Sequence, residues 1–388
     1  MAEERPYHIY IDADWIGALP SSQAIEWGIK AALSEHDFKL AGHTVEIKRL
    51  NHRGNTRRHL ANQKRYLQDD RALVVFTGLH SPPLLANRAF IHKQQILTLN
   101  PWAAAGPITR DKAPNWIFRL SVDDAVAGHV IVEHAIKKRG FKNLVLIAED
   151  TGWGRFNHKN MRTKAMELGL NSLPVLWSNW GMAKPTAKIL LRRAANMGAD
   201  AILLVTNPAE SVTIAQAMAE LERENRRPLQ SHWGVSAGHF AQRVGLDVLK
   251  QIDLQFIQSD FSFLHSNLSE LAKRALAKAK NLFPDQIKQA RDINPPAGFV
   301  HAYDLTRILI AAAKQAGLRG EVIEDRGRLH DALEQLKEPV EGLIKTYQTP
   351  FHTPEKAFTD AHEALGVPDY AMAYFDELGD IRLSKSGP

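Results

Sequence analysis

Short apolar runs alternate with stretches of helical periodicity along this chain, and the alternation starts again near its middle. A run such as Leu73-Val74-Val75-Phe76, apolar at every position, suits a strand buried on both faces. Parallel strands joined by helices have that environment. In the first half, Tyr7–Asp12, Thr44–Leu50, Ala72–Phe76, Ile96–Leu99 and Trp116–Leu120 read as strands. Ser22 is placed as the cap of a helix whose inner face carries Ile25, Gly28, Ile29, Ala32 and Leu33.

The second half repeats the scheme. Asp123–Lys138 is amphipathic and closes at Gly140, and Leu144–Ala148 reads as a strand. Strands follow at Val175–Trp177, Ala201–Thr206, His232–Val235 and Leu254–Gln258, separated by helices that end at Gly169 and Gly198 or run over Glu210–Arg223. Long helices are expected over Leu268–Leu282 and over Gly298–Ala316, which stops at Gly317; residues 341–388 read as irregular and strand-like, with an extended run at Tyr370–Phe375. With 388 residues, 44% of them hydrophobic, the chain can fill two cores, since one core stops growing near ~250–300 residues. The expectation is an α/β fold of two Rossmann-like lobes with parallel central sheets. No linker rich in Gly, Ser or Pro separates them, which favours several strand crossings over a single tether.

Ligands of open parallel sheets sit outside the carboxyl ends of the strands. Four of the eight tryptophans fall in the loops there: Trp15, Trp102, Trp153 and Trp233. An indole at a loop tip exposes a large apolar area. One such ring can be a local anchor; four at equivalent places suggest an aromatic-walled cleft shared by the lobes. Gly78, Ala103, Ala104, Gly152 and Gly234 leave nearby amides approachable, and helices beginning near Pro82 and Arg155 would aim their positive ends at an anion.

At these loops the sequence resembles the branched-chain amino-acid-binding family of ABC-transporter substrate-binding proteins, of the type I periplasmic-binding-protein fold. The resemblance is carried by Gly17-Ala18-Leu19, Val74-Val75-Phe76-Thr77-Gly78-Leu79-His80-Ser81, Thr98-Leu99-Asn100-Pro101-Trp102-Ala103-Ala104, Phe118-Arg119-Leu120 before Asp123-Asp124, Glu149-Asp150-Thr151-Gly152-Trp153-Gly154 and Ala302-Tyr303-Asp304. No single motif is unique, but their order and spacing cover nearly the whole chain. The resemblance implies three crossover strands, placed near 120–123, 257–262 and 342–348. Lobe 1 would then be 1–120 with 262–342, and lobe 2 would be 123–257 with 348–388. It also implies ligand contacts from His80, Ser81, Trp102, Ala103, Ala104, Trp153, Asn207 and Trp233, with the first loops of lobe 1 holding a carboxylate. The sequence departs from the family where Ala104 replaces a hydroxyl residue and where no acid stands beside Trp233. Asp260 is the nearest substitute for that acid. A buried ammonium without a carboxylate partner is unfavourable, so an apolar or aromatic carboxylate suits the site better than a free amino acid.

The expected role is a solute-binding protein, not an enzyme, serving an ABC permease or a membrane receptor in the periplasm, with its export signal removed. The opening Met1-Ala2-Glu3-Glu4-Arg5 has no signal-peptide core. A ligand-sensing domain of a signalling receptor is the alternative of another class. Direct membrane insertion is not expected, since no apolar run approaches the ~20 residues a spanning helix needs. The absence of cysteine removes thiolate chemistry and Cys-ligated metals. No metal-ligand spacing, P-loop or G-x-G-x-x-G appears, so no cofactor is expected. The net charge of +6 is dispersed, and its densest group, Arg53, Arg57, Arg58, Lys64 and Arg65, reads as a solvated helix face and not a nucleic-acid contact. Gly234-Val235-Ser236-Ala237-Gly238 matches a nucleophile elbow, with Asp304 and His352 as conceivable partners. A hydrolase using Ser236 is the remote reading.

Overall fold

The structure is a computed structural model that describes residues 5–356 and 359–384. The chain divides into two compact units, 1–121 with 263–366 and 122–262 with 367–388. The third change of unit lies at 366/367 and not at 342–348. Residues 343–366 are held in the first unit by buried polar contacts. The Asp304 carboxylate accepts from the amides of Leu343 at 2.6 Å and Ile344 at 3.1 Å and from the Tyr347 hydroxyl at 2.8 Å. Glu363 pairs with the buried Arg119 at 2.7 Å.

The first unit holds a six-stranded sheet of β1 (Tyr7–Ala13), β2 (Lys39–Leu40), β3 (His43–Asn51), β4 (Ala72–Thr77), β5 (Thr98–Asn100) and β6 (Ile117–Arg119), in the order β2-β3-β1-β4-β5-β6. All pairs are parallel except β2 with β3. Strand order reverses at β1, with β3 on one side and β4 on the other.

The Leu19–Ser34 helix lies against the 21-residue Pro296–Ala316 helix. Gly28 makes their close approach possible. A Cβ there would fall 2.3 Å from the Phe299 carbonyl oxygen and 2.9 Å from the Tyr303 amide nitrogen. Ser22 does not cap this helix. It lies inside it, and its hydroxyl donates to the Asp14 carbonyl at 2.9 Å, tying the helix to the loop after β1. The Thr56–Leu67 helix exposes Arg57, Arg58, Lys64 and Arg65 and buries His59, Gln63 and Tyr66.

The second unit holds seven strands: β7 (Leu144–Glu149), β8 (Val175–Ser178), β9 (Ala201–Val205), β10 (Leu229–Ser231), β11 (Leu254–Ser259), β12 (Tyr370–Phe375) and β13 (Ile381–Leu383). Their order is β13-β12-β11-β10-β9-β7-β8. The five from β7 to β11 are parallel, and the last two add antiparallel at the edge. The reversal of order here is at β7, between β8 and β9. The sequence misplaces one strand. His232–Val235 is not extended; β10 precedes it, and Trp233–Ser236 forms a 3-10 turn. The core is aliphatic, with Ile147, Leu191, Ile202, Leu204, Ile214 and Leu229 buried together. Among the described residues no helix is long and apolar enough to cross a membrane.

Gly28→Ala should cost about 1–3 kcal/mol, the range for overfilling a close-packed contact, because both obstructing atoms are backbone. Gly327→Ala, in the Val322–Glu334 helix with nothing near its added methyl, should instead gain about 0.5–1 kcal/mol. Urea denaturation of the two variants checks the contrast.

Candidate functional site

In each unit the place to look is the carboxyl edge at the reversal of strand order. In the first unit this lies between β1 and β4. The loop after β1 supplies Asp14. Its Oδ1 accepts from the amides of Gly17 at 2.8 Å and Ile16 at 3.1 Å, and its Oδ2 meets His80 Nε2, from the loop after β4, at 3.3 Å. The His80 contact, with those two amides, holds Asp14 well below the usual carboxylate range. Behind this pair lie His52 and His59, with ring centroids 6.0 Å from His80 to His52 and 5.8 Å on to His59. The buried Asp12 accepts from Asn62 at 2.7 Å and contacts His59 Nδ1 at 2.8 Å.

Ser81 opens the Ser81–Lys93 helix, and its hydroxyl oxygen accepts from the Ala105 amide at 3.2 Å. Pro82 and Pro83 follow at once, so the first turn keeps its dipole but lacks two of the usual amide donors. The loop after β5 is held by its carbonyls. Ala103 O accepts from Asn100 Nδ2 at 2.8 Å and Arg119 Nη1 at 3.1 Å, and Ala105 O accepts from Arg119 Nη1 at 2.9 Å. The buried amides of Ala103 and Ala104 make no internal hydrogen bond among the described residues.

Trp15 and Trp102 both make contacts within the first unit. Trp15 donates Nε1–H to the Leu50 carbonyl at 3.0 Å and lies under the Arg49 guanidinium at 4.4 Å. Trp102 is 1% exposed. Its ring fills the space above Gly298, where a Cβ would stand 2.6 Å from Cζ3.

In the second unit the reversal lies between β7 and β9. Glu149, the last residue of β7, is buried. One of its oxygens accepts from the Asn207 amide; the other accepts from Asn207 Nδ2 at 2.8 Å and Trp180 Nε1 at 2.7 Å. Burial raises its pKa. Gly154 and Gly234 let backbone cross backbone at this edge, for a Cβ would fall 1.9 Å from the Glu149 carbonyl oxygen and 2.0 Å from that of Thr206. Trp153 stands edge-on to His232 at 5.3 Å, and Trp233 lies 6.1 Å from the same ring. His232 Nε2 is 2.8 Å from Asp124 Oδ1, with both side chains fully buried.

Asp260 is exposed, and its amide donates to the Asp369 carbonyl at 2.8 Å. The Ser236 hydroxyl donates to the Trp233 carbonyl at 2.7 Å, and both Asp304 and His352 belong to the other unit. Sequence reading gave no separate role to Glu149, quoted only within its motif, and none to Trp180. Trp180 stands in a strand-to-helix loop, like the four singled out, and at 56% exposure is the most open indole.

Residues 17–361 match the family model described as periplasmic binding protein. No curated protein matches this chain. Among solved structures, the chain is similar to a leucine binding protein from Thermotoga maritima at 17% identity, covering 97% of each chain with a TM-score of 0.78. It is similar to an ABC-transporter solute binding protein from R. palustris in complex with 4-hydroxybenzoate, at 16% identity over 98% of this chain and 96% of that one, TM-score 0.80. It is also similar to the branched-chain amino acid transporter substrate binding protein LivJ from Streptococcus pneumoniae, in complex with isoleucine, at 17% identity over 98% and 99%, TM-score 0.75. At such identities the likeness is one of fold.

The histidine behind the first edge makes acid the weak point of the fold. His52 Nδ1 accepts from the Gly54 amide at 2.9 Å, and burial pushes its pKa down to about 4. Burial does the same to His301, which donates to the Pro101 carbonyl. Between the ordinary histidine value of 6.5 and about 4, the unfolded chain binds a proton at each that the folded chain does not. These two groups therefore lower stability as pH drops through that window, by roughly 1.4 kcal/mol per pH unit per group at most, while the buried Asp304, raised to about 6, partly offsets them below pH 6. Urea midpoints at pH 7, 6 and 5 should show it, and His52→Asn should reduce the slope by about one proton.

Proposed function

The chain belongs to the periplasmic binding protein family, and on that premise we propose that it binds an aromatic or apolar carboxylate for delivery to a membrane permease outside the cytoplasm. The observation that carries this reading is the pair of uncommitted amides at Ala103 and Ala104, beside the Ser81 hydroxyl and the first turn of its helix. Hydrogen bonds to a charged acceptor contribute ~1.5–3 kcal/mol each, and the helix end adds ~0.3–1 kcal/mol. Arg119 supports the arrangement by occupying the carbonyls of the same loop.

A free α-amino acid fits less well. At the first unit's edge its ammonium would need a carboxylate, yet Asp14 is already committed to His80.

A thermal-shift screen of benzoates, aliphatic carboxylates and amino acids tests this. A carboxylate at 100 times its Kd adds ~2.7 kcal/mol to the native state, which is about 5–10 °C in Tm for a unit of this size. Ser81→Ala should weaken that carboxylate about five- to tenfold, the loss of one hydrogen bond of ~1–1.4 kcal/mol, and should also lower the ligand-free Tm, because the buried Ala105 amide loses its acceptor. Stabilisation by leucine or isoleucine alone would defeat the proposal.

A further inference from the structure

We propose that the outer face of the Thr56–Leu67 helix is an electrostatic docking surface for an anionic phospholipid membrane. At 3.6 residues per turn, Arg57, Arg58, Ala61, Lys64 and Arg65 fall within a stripe about 120° wide, and each of them is exposed. The buried His59, Gln63 and Tyr66 occupy the opposite side. Arg53, exposed in the turn before the helix, adds a further cation. The whole surface belongs to the first unit.

The charge of this stripe is uncompensated. The helix contains no acid, and among the described residues none of these Arg and Lys side chains makes an ion pair. Of the two carboxylates just beyond its end, Asp69 is engaged by Tyr10 and His8, each at 2.6 Å, and Asp70 pairs with Arg5 at 2.9 Å. Cations on other helices do have partners. Lys184 and Lys188 share Glu220, each at 2.7 Å, Lys137 meets Glu133 at 2.6 Å and Arg192 meets Glu222 at 3.7 Å. The placement also works against the helix. Arg57 and Arg58 stand in its first turn, where the dipole favours anions. A local rule broken without compensation inside the fold points to a partner outside it.

The chemistry of that partner follows from what the stripe lacks. Between its cations stand only Ala61 and, one turn on, Gln68, and no large apolar side chain is exposed there. Protein interfaces draw most of their energy from such anchors. Nor does the stripe carry an aromatic platform on which bases would stack. A convex row of point charges suits a diffuse anionic field such as a layer of lipid phosphates, where each nearby Lys or Arg strengthens binding about fivefold. The choice of a lipid surface rests on the reading that this protein serves a membrane permease; the identity of the solute plays no part in it.

Sedimentation of the whole chain with vesicles of equal parts phosphatidylcholine and phosphatidylglycerol tests this, with phosphatidylcholine alone as the reference. The wild-type chain should bind only the mixed vesicles, and should weaken several-fold as salt rises to about 0.15 M, where the Debye length is about 8 Å. The combined Arg57→Gln, Arg58→Gln, Lys64→Gln and Arg65→Gln variant should bind about a hundredfold or more weakly. Its Tm should be no lower than that of wild type, since two of the lost cations oppose the dipole. Removing paired cations instead, by Lys137→Gln, Lys184→Gln, Lys188→Gln and Arg192→Gln, changes the net charge equally and should cost less than about tenfold. Equal losses in the two variants would reduce the effect to net charge and overturn the proposal, as would failure of wild type to bind the mixed vesicles. Tighter binding to duplex DNA, lost with the same stripe residues, would make the partner a nucleic acid and overturn it too. The assay contains no solute, so a negative result leaves the carboxylate reading standing, and a failed solute screen leaves the vesicle result intact.

Discussion

Parallel pairing is the constraint from which the rest of this structure follows. When β1 pairs with β3 and β4 in one direction, and β7 with β8 and β9 likewise, every strand must be followed by a crossover that covers the sheet. Both faces are then buried, and only the strand ends remain for polar work. The carboxyl ends gather at one edge of each sheet, where helices begin and amides are left over. At each reversal of strand order a gap opens, and in both units a carboxylate reaches across it: Asp14 to His80 in the first, Glu149 to Asn207 in the second.

These couples decide what the edges offer to a solute. A buried carboxylate with its donors in place is spent as a receptor for cations. What remains in the first unit is donor character, in the Ala103 and Ala104 amides. It exists because Arg119, itself neutralised by Glu363, holds the carbonyls of that loop. The segment 343–366 thus matters to the site although it lies far from it in sequence. Its attachment through Asp304, which burial pushes up to about 6, is part of the same first unit.

Much of this architecture could be read in the sequence. The apolar runs of β1, β4, β7 and β9 are unambiguous, and helices closed by Gly169 and Gly317 end as expected, both in the left-handed region. Three things could not be read. The Val322–Glu334 helix buries Asp325, Arg326 and His330 among its inner residues, so its stripe does not look apolar. The third change of unit was misplaced because 343–366 has no regular apolar period, although Leu343, Tyr347 and Phe351 are buried. The short β10 escaped notice because Gln230 and Ser231 are polar, though buried. At the site, the intra-unit contacts of the loop residues could not be read: Trp15 meets Arg49 and Leu50, and Trp102 lies over Gly298, all distant in sequence. The tie between Glu149 and Trp180 could not be read because the donors of a carboxylate beside a strand are not visible in sequence.

The seat of Trp102 over Gly298 has a spectroscopic corollary. An indole locked in that position emits from a rigid, apolar surrounding and is shielded from collisional quenchers such as acrylamide. Trp180, open to water and hydrogen-bonded to Glu149, should emit to the red and be quenched first. Intrinsic fluorescence of this protein is therefore a sum of populations, and its red, quenchable fraction reports chiefly on Trp180.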